Sequence, residues 1–122
     1  MSGVIIAVVE DMFFAAKIRA VAEAVGVEIN FPRTREALVQ KARAATPRLI
    51  LVDLHNQKVE ASALAFELKS DEQLREIPLI GFFSHVQTEL QRNALAAGFD
   101  QVMPRSVFAR DLQKILAADD AD

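Results

Sequence analysis

The sequence predicts a doubly wound α/β domain, five parallel strands in the order 2-1-3-4-5 with five helices on two faces. Three observations predict it. Residues 4–9, 49–52 and 79–83 are short, continuous apolar runs, the pattern of parallel strands covered on both sides; half-solvated strands alternate instead. Segments of helical spacing separate them. Acids close two of the runs, Glu10 and Asp11 after the first and Asp53 after the second, and an open parallel sheet places its ligand crevice outside those strand ends.

In chain order, residues 4–9 form the first strand. Phe14, Ile18, Val21, Ala22 and Val25 then repeat at helical spacing up to Gly26, which suits a left-handed cap. Residues 27–31 alternate, as an edge strand does. Thr34 caps a second helix through Leu38 and Ala42. After the third strand a helix covers 61–69, and after the fourth another runs from about Val86 through Leu90 and Ala94 to a Gly98 cap. Residues 101–103 are short with a polar start and form the other edge. Ser106 is placed to cap the last helix, whose buried face is Phe108, Leu112, Ile115 and Leu116. Central runs and edge runs together select the 2-1-3-4-5 order, which is flavodoxin-like, with right-handed crossovers.

Length and composition narrow the function. A chain of 122 residues has the size of one domain, here 1–118, with 119–122 as an acidic tail. Hydrophobic residues at 52% and charged residues at 25% are an ordinary globular balance. The net charge of -3, with Lys and Arg dispersed among acids, argues against a nucleic-acid partner. No apolar stretch is long enough to span a bilayer, and the chain begins without an export signal, so a cytoplasmic protein with no membrane association is expected. With no cysteine, thiolate chemistry and disulfides are excluded. The chain stops at its fifth helix, and a stand-alone domain without an effector is expected.

The three acids carry the chemistry. Two unit charges about 4 Å apart repel by roughly 4 kcal/mol at an effective dielectric near 20, so something must compensate them. Hard oxygen donors with no Cys or His suit Mg²⁺, which retains waters and accepts phosphate oxygens. Beside such a cation the carboxylate of Asp53 is a plausible nucleophile toward a phosphoryl group.

Four anchors, VVED at 8–11, LVDL at 51–54, IPLIGFFSH at 77–85 and GFDQVMPRS at 98–106, occur in an order and spacing that resembles the receiver domain of bacterial response regulators across nearly the whole chain. The resemblance implies that Asp53 accepts a phosphoryl group from a histidine kinase or phosphotransfer protein. It implies that Glu10, Asp11 and Asp53, with the main-chain carbonyl of His55, hold Mg²⁺. It also implies signalling by contact with a downstream protein, self-phosphorylation being the only catalysis, and a homodimer face on helix 4, strand 5 and helix 5.

The chain departs from that pattern at the sensing residues. The Thr or Ser expected five residues after Pro78 is Phe83, leaving Ser84, one residue later, as the substitute hydroxyl if the strand end bulges. The expected Lys is Arg105, followed by Ser106; it keeps the charge on a planar fork and is read as facing the acid pocket, paired with Asp53 or a phosphoryl group. Asn56 and Gln57 stand where Met-Pro is frequent. These departures leave a second reading, a phosphorylation-independent pseudo-receiver acting as an interaction or dimerisation module. Other chemistries fit poorly. His55 and His85 lack a third nitrogen ligand for zinc; the triplet 53–55 opens a cobalamin-like Asp-x-His pattern but Lys58 ends it; and the acids after the first strand would repel a flavin phosphate.

Overall fold

The computed structural model describes residues 3–84 and 87–117. Its sheet has five parallel strands, β1 (Val4–Val8), β2 (Glu28–Asn30), β3 (Leu49–Asp53), β4 (Leu79–Phe83) and β5 (Gln101–Pro104), in the order β2-β1-β3-β4-β5. The continuous apolar runs are the three inner strands. In β3 and β4 every residue is buried, whereas β2 and β5 at the edges are partly exposed.

Two apolar layers sandwich the sheet. One holds Ile6, Val8, Ile50, Val52, Leu79 and Phe83 of the strands against α2 (Arg35–Ala45), α3 (Ala61–Lys69) and α4 (Thr88–Ala97). The other holds Ile5, Ala7, Leu49, Leu51, Ile80 and Phe82 against α1 (Met12–Val25), α5 (Arg105–Arg110) and α6 (Leu112–Ala117). Alternate residues of one strand enter opposite layers, as the two-residue period requires.

Local signals set the helix ends. Asp11 is the N-cap of α1, and Gly26 closes that helix at φ 79° with its N–H bonded back to the Ala22 and Glu23 carbonyls. Thr34 caps α2 through a hydrogen bond from the Ala37 N–H. Gly98 ends α4. The Val86 start expected for α4, His85 and the 119–122 tail lie outside the described residues.

Two details differ from expectation. Ser106 makes no capping bond: the helix starts at Arg105 with Pro104 in the cap position, extended at ψ 148°, so Ser106 already lies in the first turn. The last helix is also divided at Asp111, whose φ of -100° and ψ of 11° interrupt regular geometry. Hydrogen bonds from Asp111 N–H to the Val107 carbonyl and from Ile115 N–H to the Asp111 carbonyl carry the chain direction across the break, so Phe108, Leu112 and Leu116 still share one buried face.

Candidate functional site

Strand register brings the acids together. Val8 of β1 pairs with Val52 of β3, and Asp53 pairs with Phe82 of β4; the residues just past β1 therefore stand level with the end of β3. Glu10, Asp11, Asp53, His55, Ser84 and Arg105 line one hollow of about 280 Å³ there.

Asp53 is buried at 7% exposure, which requires its carboxylate to be hydrogen-bonded. The His55 N–H donates to Oδ1 at 3.0 Å and the Glu10 N–H reaches Oδ2 at 3.4 Å. The turn that supplies the first donor is tied by the Asn56 N–H on the Asp53 carbonyl and by the Lys58 N–H on Asn56 Oδ1. Asn56 is itself buried; it shapes the loop under the acid.

Asp11 is held differently. Its Oδ1 accepts the Phe13 and Phe14 N–H groups at 2.9 and 3.2 Å, the unpaired donors of the first turn of α1. Its Oδ2 accepts Arg105 Nη2 at 2.9 Å. The Arg105 guanidinium, followed by the Phe14 N–H, holds the Asp11 carboxyl below the ordinary carboxylate range. Arg105 thus pairs with Asp11 and not with Asp53, the partner expected from sequence. The reason is its seat: its guanidinium carbon lies 4.0 Å above the centre of the Phe14 ring, and Phe14 follows Asp11 by three residues, one helical turn.

That ring is fixed from below. Phe14 meets Phe82 and Phe108 edge-on at 5.4 and 5.9 Å between ring centres, and Phe82 stacks on Phe108 at 4.6 Å. The trio joins α1, β4 and α5. Sequence spacing identifies Phe14 and Phe108 as core residues, but their meeting under Arg105 depends on tertiary topology.

The end of β4 separates Phe83 from Ser84. Phe83 is buried in the α3 and α4 layer, while Ser84, beyond the strand in an exposed bend, lines the hollow with Asp53 and Arg105. Leaving the strand frees it from strict alternation, and no bulge is needed. Phe13 beside it is 90% exposed.

The oxygen donors of the hollow are of the hard type that Mg²⁺ takes. Their arrangement does not fit a metal as it stands: both Asp11 oxygens are engaged, and among the described residues no three His, Cys, Asp or Glu side chains stand close enough together to hold an ion.

No protein-family model matches the chain, and no curated protein matches it in sequence. Solved structures do. It resembles a CheY-like response regulator receiver domain protein from Methanospirillum hungatei, with 21% identity, TM-score 0.80 and coverage of 95% of this chain and 91% of that one. A putative response regulator from Chloroflexus aurantiacus gives 15% identity, TM-score 0.82 and coverage of 97% and 100%. The Mn(2+)-bound form of response regulator Rcp1 gives 18% identity, TM-score 0.75 and coverage of 94% and 89%. The fold is that of response-regulator receiver domains. Among the described residues no helix is long and apolar enough to cross a membrane.

Proposed function

We propose that the chain is a receiver-type signalling domain of the cytoplasm in which Asp53 accepts a phosphoryl group from a histidine kinase or phosphotransfer protein and passes the signal on by protein contact. The observation that carries this reading is the convergence of Glu10, Asp11, Asp53, His55, Ser84 and Arg105 on one hollow at the carboxyl ends of β1, β3 and β4.

The chemistry is an in-line transfer. An Asp53 carboxylate oxygen forms a bond to phosphorus as the bond from phosphorus to the donor imidazole nitrogen breaks; the nitrogen keeps that electron pair, and an acyl phosphate results. The His55 and Glu10 N–H groups orient the carboxylate. Arg105 supplies positive charge at the rim, and Ser84 a hydroxyl. The receiver fold implies Mg²⁺, and one structural neighbour is a Mn(2+)-bound form; with both Asp11 oxygens already hydrogen-bonded, the side chains of this hollow do not fit that ion. The domain itself is a phosphoacceptor and not an enzyme acting on other molecules. Its contact surface is proposed on α4, β5 and α5, where Leu95 of α4 is 53% exposed, for a downstream target or a second copy.

Two observations favour the second reading, a pseudo-receiver that works without phosphorylation: Arg105 is paired with Asp11, and Phe83 fills the sensing position with buried carbon. Incubation with acetyl phosphate, with and without Mg²⁺, followed by intact mass separates the two. The first predicts a labile gain of one phosphoryl group that Asp53→Asn abolishes. No gain under either condition favours the second.

A further inference from the structure

We infer that Arg105 is the resident counter-cation of the acid hollow, occupying through Asp11 the place a divalent metal would take, so that this domain works without one. The inference rests on the reading of the hollow given above, and it follows from how each negative charge there is already answered.

Asp53, buried, is met by two backbone N–H groups, from His55 at 3.0 Å and from Glu10 at 3.4 Å. Glu10 is exposed and solvated. Asp11 is the remaining acid, and a carboxylate has about four acceptor sites. Two helix N–H groups take Oδ1 and the Arg105 guanidinium takes Oδ2. A metal arriving at the free lone pair would stand against the guanidinium, a like charge. Mg²⁺ also demands nearly ideal octahedral geometry, and on Asp11 only the lone pair left by those three donors remains to meet it.

The seat of Arg105 is built. Its planar face rests on Phe14 at 4.0 Å while its edge bonds Asp11, a combination of stacking and directed hydrogen bonding that a guanidinium supports and an ammonium does not. Phe14 cannot turn away, because Phe82 and Phe108 pack against it and all three rings are buried. Arginine is charged at every accessible pH. The hollow therefore holds one permanent positive charge, ready for Asp11 at rest and for a phosphoryl group in the same cavity.

The test is a Mn²⁺ titration of the full chain, followed by the free-ion EPR signal and by paramagnetic broadening of the amides of residues 10, 11 and 53. In wild type, Mn²⁺ is expected to stay free and those amides sharp into the millimolar range, ordinary for a weak site. Arg105→Ala should gain Mn²⁺ affinity by about tenfold or more as the competing charge leaves, and Asp11→Asn in that background should remove the gain. Broadening of amides 10, 11 and 53 at low Mn²⁺ in wild type overturns the inference. So does an Arg105→Ala protein that folds and gains nothing. Should Arg105→Ala fail to fold, the wild-type titration alone decides. None of these readouts depends on phosphorylation, so an Asp53 that never accepts a phosphoryl group defeats the proposed function and leaves this result standing.

Discussion

Arg105 and Asp11 are 94 residues apart in sequence, yet the guanidinium Nη2 of one lies 2.9 Å from the Oδ2 of the other, across the mouth of the sheet. The pair joins the start of α5 to the N-cap of α1. Because Arg105 also rests on Phe14, one side chain ties the acid hollow to the aromatic packing beneath it.

The pair makes stability depend on acid in a defined direction. The folded-state Asp11 carboxyl is held below its ordinary range, first by Arg105 and then by the Phe14 N–H. Its contribution is therefore fully present above the unfolded carboxylate value, near pH 4, and is lost as pH falls through the lowered folded value. Thermal melts of wild type and Asp11→Asn, which retains a capping side chain, should differ most near neutrality and converge in acid below about pH 4. A constant difference across that range would contradict the assignment.

Phe82 is expected to be the most costly of the inner aromatic residues to truncate. It is 1% exposed and contacts both Phe14 and Phe108, so Phe82→Ala leaves a cavity under the site and should destabilise the fold by about 3–5 kcal/mol. Urea unfolding measures it; a loss under about 1 kcal/mol would mean that the trio packs loosely.

Gly81 in β4 is required by its neighbours. A Cβ there would stand 2.8 Å from Leu54 Cδ2 and 3.1 Å from Phe99 Cδ2, and both side chains are buried. Gly81→Ala should destabilise by about 1–3 kcal/mol through overpacking, and chemical-shift changes should extend from Leu54 to the adjacent Asp53.

Thr46, the cap residue after α2, sits at φ 47° and ψ 68°, a left-handed conformation costly for a β-branched side chain. Thr46→Gly should raise stability by about 1 kcal/mol. A lower melting temperature would show that the threonine side chain makes a compensating contact.

How much of this was legible in the sequence follows the range of the interactions. Apolar runs gave the inner strands because burial on both faces leaves no alternation, as in the fully buried β3 and β4. Thr34 and Gly26 marked helix ends because capping is local. The site's membership was legible for a related reason: once β1 and β3 are neighbours, Glu10, Asp11 and Asp53 have nowhere else to go. What sequence missed is tertiary. The choice of Asp11 over Asp53 by Arg105 depends on the reach of one side chain and on a ring supplied by another helix. Ser106 is no cap because α5 starts two residues earlier than a Ser106 cap requires, with Pro104 in the cap position. The break at Asp111 has no pattern of its own, since the residues on either side keep the same apolar spacing.

Trapping the acyl phosphate chemically tests the central claim most directly. After exposure to a phosphorylated phosphotransfer protein, borohydride reduces an aspartyl phosphate to homoserine, and peptide mass mapping reads the position. Homoserine at position 53 alone is the predicted result. Its absence there under conditions where the donor loses its phosphoryl group to this chain, or its appearance at position 10 or 11, would contradict the assignment of Asp53 as the acceptor.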